Sequence, residues 1–289
     1  GMGEVYDATR VSTGEPAAVK LLHSVALQDR EALERFAREV RVAASLKAKN
    51  VVEVLGFSTD EGAIPYLAME RLRGKDLAAI LRKTGAMDLP WAITLVRQVG
   101  EGLSAAAKVG IVHRDIKPQN LFLARTGDGG ATWKILDFGV SKLAQSEGTL
   151  TRGRLIGTPA YMAPEQAKGD DVDHRADIYS LAAIVYRTLT GYRPFRGHDL
   201  AAIIHAVVNK MPIRPSQILD LPEEIDLVLA VGLAKLPEER FQTCDDLLSA
   251  LEEARSGRLS PELARRADLI LQRNPWRDAP GSAPHPVVG

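Results

Sequence analysis

The chain has 289 residues, 45% hydrophobic and 26% charged, an ordinary globular composition rather than a disordered or fibrous one. Lysine plus arginine equals aspartate plus glutamate at 37 each, so the net charge is zero, and neither a broad basic field nor a nucleic acid partner is indicated. The one cysteine, Cys244, excludes an intrachain disulfide and suits a reducing, cytoplasmic setting. No apolar run approaches the roughly 18–20 residues that span a bilayer, and no basic-then-apolar leader opens the chain. Because the first residue is Gly1 rather than Met, the natural start is expected to be missing.

In chain order, Val5–Ala8 and Ala17–Leu22 read as strands joined by a turn-rich Ser12-Thr13-Gly14-Glu15-Pro16 connection. A helix is expected from about Asp29 to Leu46, where Leu33, Phe36, Ala37, Val40 and Ala44 recur at helical steps. Val51–Phe57 and Tyr66–Met69 read as two further strands. After Gly74 the pattern turns helical: Trp91–Val109, Ala176–Leu189, Leu200–Val208, Ile225–Leu236 and Asp245–Ala254, with short strands Leu121–Ala124 and Trp133–Leu136 among them. Ser260-Pro261-Glu262 is a helix start, with serine as cap and proline in the first turn, and that helix is expected to reach about Gln272. Pro275, Pro280, Pro284 and Pro286 mark the end as a flexible linker. Strands first and helices after predict an α+β fold in two lobes. The expected division is a small lobe over 1–70, a hinge over 70–74, a large lobe over 75–255, and a helix with a Pro/Gly-rich linker over 256–289.

The strongest chemical signal is His113-Arg114-Asp115-Ile116-Lys117-Pro118-Gln119-Asn120, followed by Asp137-Phe138-Gly139 and then Ala163-Pro164-Glu165. Each of Asp115, Asn120 and Asp137 is by itself an ordinary turn former. In this order and spacing the three segments resemble the catalytic loop, metal-binding triplet and closing triplet of the protein kinases, specifically bacterial, eukaryotic-like serine/threonine kinases. The resemblance covers about 1–255 and implies a bilobal kinase fold using ATP and Mg²⁺ (or Mn²⁺). It implies that Asp115 orients the attacking hydroxyl, Lys117 offsets charge on the phosphoryl group in flight, and Asn120 and Asp137 hold the metal.

Upstream, Lys20 in Ala18-Val19-Lys20 resembles the strand lysine of the nucleotide phosphates, and Glu39 in Phe36-Ala37-Arg38-Glu39-Val40 resembles its helix partner. Gly3 and Val5 match the end of the glycine-rich phosphate loop, whose first two glycines are absent here. By the same resemblance Met69 would guard the back of the adenine pocket, and the backbones of Glu70 and Leu72 would meet the adenine edge. Ala18, Val5 and Leu123 would be its apolar walls. Asp76 fits either a ribose contact or the cap of a helix over Leu77–Lys83.

Between Asp137 and Glu165 lie Ser141, Ser146, Thr149, Thr151 and Thr158, a hydroxyl-rich stretch with the length of an activation loop. Arg114, just before Asp115, marks kinases controlled by phosphorylation there, with Thr151, or else Thr149, as the site. Gly157-Thr158-Pro159-Ala160-Tyr161 resembles the peptide-docking segment of serine/threonine kinases, with Thr158 bonding to Asp115 and Lys117. Asp177 resembles the helix aspartate that fixes the catalytic-loop backbone, and Glu165 with Arg240 resembles the ion pair of the large lobe. The implied partners are proteins bearing serine or threonine and a second copy for trans-autophosphorylation; the implied location is cytoplasmic or tethered to the inner face of a membrane through segments outside this chain. A nucleotide-binding pseudokinase is the alternative, suggested by the incomplete glycine loop. A small-molecule kinase of the same fold fits the docking segment less well.

Overall fold

A computed structural model describes residues 3–22, 37, 40–41, 43–58, 64–138 and 159–278. Alternating residues and a glycine turn build the first sheet. Strands β1 (Gly3–Thr9) and β2 (Pro16–Leu22) pair antiparallel with Val5 opposite Lys20. Gly14, at φ +74°, supplies the left-handed turn residue between them. Strands β3 (Val54–Ser58) and β4 (Tyr66–Glu70) complete the order β1-β2-β4-β3. Residues 37, 40–41 and 43–45 are helical; the rest of the helix expected over 29–46 lies outside the described residues. Val40 joins Val52, Leu67 and Met69 in a small core, with Ala18, Leu72 and Leu136 packed against it.

The strand expected over 51–57 begins later, at Val54. Its first residues are taken by the other lobe: the Val52 amide donates to the Ile135 carbonyl, and Val51 forms an isolated parallel bridge to Ile135. A register shift between Val54 and Gly56 then restores pairing with β4.

The second sheet is three short strands, β5 (Gly74–Asp76), β6 (Leu121–Arg125) and β7 (Ala131–Ile135). Strand β5 carries no apolar alternation, so its sequence does not announce it. Gly74 is obligatory, because a Cβ there would lie 1.9 Å from the Leu123 carbonyl oxygen.

Helices form the rest of the large lobe. Helix α1 (Leu77–Thr84) is capped by Asp76, and α2 (Leu89–Lys108) by Asp88 with Pro90 in its first turn, so α2 starts two residues before the expected Trp91. Short α3 (Pro164–Lys168) precedes α4 (Arg175–Thr190), which is buried on every side from Ala176 to Thr190 except at Arg187. Such a helix is the core of its lobe rather than a covering layer. Around it stand α5 (Leu200–Asn209), α6 (Glu223–Gly232), α7 (Cys244–Arg255) and α8 (Pro261–Arg273). Helix α8 begins at the Ser260 cap, packs on α6 and buries Ala267 and Ile270. Beyond it the Arg277 amide donates to the Pro212 carbonyl at 2.9 Å.

The helix expected to reach Leu236 stops at Gly232. The reason is Arg240, fully buried, whose guanidinium takes the carbonyls of Ala234 and Lys235 as well as both carboxylate oxygens of Glu165, at 2.7 and 2.6 Å. Helical geometry would turn those carbonyls away. Lys235 is buried beside Arg240, donating to the Val207 carbonyl at 2.9 Å and lying over the rings of Phe195 and Tyr179. Burial first, and the Arg240 charge second, bring its pKa down to about 7.

The unfolded-state pKa of a lysine is about 10.4. Between those values the unfolded chain binds more protons than the folded one, so this group makes stability rise with pH over that window, and its penalty is complete below about pH 7. The Lys235→Met variant is expected to lack that rise. The wild-type-minus-variant difference in urea unfolding free energy should change by a few kcal/mol between roughly pH 7 and 10.

Candidate active site

The cleft between the two sheets collects charge from three places in the chain. Lys20 enters from β2, Asp137 follows β7, and Asp115, Lys117 and Asn120 stand on the segment between α2 and β6. That segment is irregular over 111–117 and ends in a single 3-10 turn, Pro118–Asn120, started by the proline.

Two side-chain-bearing residues here have left-handed backbones, Arg114 at φ +65° and Asp137 at φ +55°. Such conformations cost roughly 1–3 kcal/mol and persist where surrounding bonds over-determine them. The bonds are present. The buried Asp177 carboxylate accepts from the backbone amides of His113 at 2.7 Å and Arg114 at 2.8 Å. The Gln166 side-chain amide donates to the Arg114 carbonyl at 2.9 Å. His113 Nδ1 accepts from the Asp115 amide, which leaves the proton on Nε2 to donate to the Leu136 carbonyl at 2.9 Å. The Leu136 amide in turn donates to the Asn120 carbonyl at 2.9 Å. The loop bearing Asp115 is thereby tied to the residue next to Asp137, and the His113 ring meets the Phe138 ring edge-on.

Within this frame Lys20 Nζ lies 2.8 Å from Asp137 Oδ1, with its side chain 11% exposed. Lys117 Nζ lies 2.6 Å from Asp115 Oδ2. Asn120 Nδ2 donates to the Asp115 carbonyl at 2.8 Å and to its Oδ2 at 3.1 Å. The donors therefore use one oxygen of each carboxylate. Asp115 Oδ1, Asp137 Oδ2 and Asn120 Oδ1 keep acceptor capacity. Among the described residues no group of three or more His, Cys, Asp and Glu could by itself hold a metal ion. A hard cation held by one carboxylate, one carboxamide and a ligand's phosphates needs no such group, and Asp137 with Asn120 fits that donor chemistry.

The residues expected around a base stand at the cleft's edge. Met69 is buried, and behind it a small cavity lined by Val40, Val52, Leu67 and Phe138 ends at Asp137. The Glu70 amide is already committed to the Glu53 carbonyl at 2.9 Å, and its carboxylate to the Glu53 amide and to Lys134. Of the Glu70 backbone, that leaves the carbonyl for any ligand edge. Leu72 and Ala18 pack on the small core, and Leu123 on the large one. Val5 is 63% exposed on β1, and Gly3 opens that strand. Asp76 caps α1 through its Oδ1, 2.8 Å from the Ala79 amide. Arg114 has an exposed side chain. Glu39, Thr149, Thr151 and Thr158 lie outside the described residues.

Sequence reading missed three supports. Gln166, next to the Ala-Pro-Glu triplet, holds the Arg114 carbonyl; His113 bridges to Leu136; and Lys134 ties β7 to the end of β4. His113 stood inside a quoted motif and could have been found. Gln166 and Lys134 carry no local pattern that points across the fold.

A family model described as protein kinase domain matches residues 1–270. Among curated proteins, serine/threonine-protein kinase PknE of Mycobacterium tuberculosis is 36% identical over 288 residues, covering 99% of this chain and 49% of PknE. PknH of the same organism is 35% identical over 288 residues, covering 99% and 44%. The chain thus spans about half the length of these curated relatives. Among solved structures, the M. tuberculosis PknI kinase domain superposes with a TM-score of 0.70 at 28% identity, covering 88% of this chain and 91% of that one.

Removing the Asp177 carboxylate strands the buried His113 amide and the part-buried Arg114 amide. Asp177→Ala is expected to lower unfolding free energy by roughly 1–3 kcal/mol for each unpaired group, read by urea denaturation.

Proposed function

This chain belongs to the protein kinase domain family, among its bacterial serine/threonine members, and from that premise we propose that it transfers the γ-phosphoryl group of ATP to serine and threonine hydroxyls of proteins. The observation that carries the reading is the convergence of Lys20, Asp115, Lys117, Asn120 and Asp137 on one cleft, with one oxygen of each carboxylate left open.

In this reading Asp115 Oδ1 accepts the substrate hydroxyl's proton or orients it, while Lys117 and Asn120 hold the other oxygen and fix the orientation of the carboxylate. Lys117 also offers its ammonium to the phosphoryl oxygens. Asp137 and Asn120 would hold Mg²⁺ (or Mn²⁺), and the cation would neutralise charge on the phosphates. Lys20 pairs with the α- and β-phosphates, and its pairing with Glu39 forms when the helix is rotated inward. The nucleotide base lies between Ala18, Val5 and Leu123, with Met69 behind it, Leu72 and the Glu70 carbonyl at its edge, and Asp76 at the ribose. Gly3 covers the phosphates. Thr158 docks the substrate backbone beside Asp115. The small lobe is 1–70, the hinge 70–74 and the large lobe 75–255, with 256–289 as the appended helix and linker.

Control is assigned to Thr151, or else Thr149, autophosphorylated in trans within a dimer and docked on Arg114, whose exposed guanidinium suits a phosphate. Among the described residues no helix is long and apolar enough to cross a membrane; the proposed location is the cytoplasm or the inner membrane face.

With labelled ATP and a generic protein substrate, Asp115→Asn is expected to lower kcat by at least about 10²-fold; equal activity in the variant would remove the role given to Asp115. After incubation with MgATP, peptide mass spectrometry should find phosphate on Thr151 or Thr149. An active enzyme with neither residue modified would end the regulatory reading.

A further inference from the structure

Helix α4 is buried throughout from Ala176 to Thr190 with one exception, Arg187. A single cation leaving the core of a lobe is a costly choice unless its head group has somewhere to go. Arg187 opens into a cavity of about 470 Å³ where the end of α4, the connection to α5 and the first turns of α5 meet. Arg193 and Arg196 line the same cavity, with Tyr192, Phe195 and Ile203. Among the described residues no acidic side chain lines it, and none of the three arginines has a carboxylate partner. In a chain of zero net charge, three guanidiniums around one concavity are a local excess that their mutual repulsion opposes.

The cavity is ordered on both sides. The Arg196 guanidinium lies over the Tyr192 ring at 4.7 Å, which fixes its plane and leaves its N–H edge free. The turn that carries Tyr161 packs against both α4 and α5, and the charges of Arg187 and Arg193 oppose the upward push that burial gives the Tyr161 hydroxyl. Tyr161 closes the 3-10 turn Pro159–Tyr161, which directly follows Thr158. The arginine cavity therefore adjoins the segment assigned to substrate docking. A planar guanidinium fork matches a carboxylate or phosphate with two parallel hydrogen bonds.

We propose that this cavity selects protein substrates by an anionic side chain, carboxylate or phosphate, carried near the accepting hydroxyl. The proposal rests on the kinase reading above and adds a substrate class to it.

The test uses serine-centred peptides in an alanine background, with glutamate, phosphoserine or lysine scanned through each flanking position. At one or more positions the glutamate or phosphoserine peptide should show a KM about tenfold below the alanine parent, the worth of one charge-assisted hydrogen bond. The R193E/R196E double variant changes only exposed residues, and its folding is checked by Tm. In that variant the preference, read as a ratio of KM values, should turn toward lysine. Equal gains for glutamate and phosphoserine identify charge alone as the signal; a gain for phosphoserine alone identifies phosphate. KM values indifferent to peptide charge, or a preference unchanged in the variant, overturn the cavity's role and leave the kinase reading standing. If no peptide is phosphorylated, fluorescence polarisation of a labelled glutamate peptide decides. Binding lost in R193E/R196E upholds the cavity while the kinase reading falls, and binding absent or indifferent to the variant overturns both.

Discussion

The candidate cleft depends on one buried carboxylate. Asp177 stands in the first turn of α4, the helix around which the large lobe is packed, and it accepts the two consecutive amides of His113 and Arg114. Burial raises its carboxyl pKa, and the two amides and the Arg114 charge offset part of that rise. The result is a fixed point for a loop that contains no regular structure. From it the chain can hold Arg114 in a left-handed conformation that a free loop would leave, and so aim the Asp115 side chain at the cleft.

A second chain of bonds carries that order toward the small lobe. His113 reaches Leu136, Leu136 returns to Asn120, and Asp137 follows with its own left-handed backbone. Lys20 closes the circuit from β2. The parts come from opposite lobes, yet Val51, Val52 and Lys134 tie those lobes at the floor of the cleft.

The large lobe spends its buried charge on shape. Arg240 is inaccessible to water and satisfied by Glu165 and three carbonyls, and it interrupts the helical path after Gly232 so that those carbonyls face it. Breaking such a pair strands an uncompensated charge, at a cost of about 3–5 kcal/mol. Arg187 is the contrasting case. It leaves the same core helix without a carboxylate partner among the described residues and adds its charge to a surface already basic with Arg193 and Arg196. One arginine is consumed by the fold, and the other remains able to meet a ligand.

Much of this was legible in the residues. Apolar patterning located α2, α4, α5 and α7 to within a few positions, and the Ser260-Pro261 start signal located α8. The segments His113–Asn120 and Asp137–Gly139 contain Asp115, Lys117, Asn120 and Asp137, which the fold brings to one cleft with Lys20. Tertiary structure alone decided the rest. Strand β5 exists only because Gly74 lets the chain lie against Leu123, and α6 ends where a distant glutamate places Arg240. Gln166, Lys134 and the Arg187–Arg193–Arg196 concavity are made by residues whose meaning lies in a neighbour brought near by folding, and a one-dimensional pattern holds no trace of that neighbour.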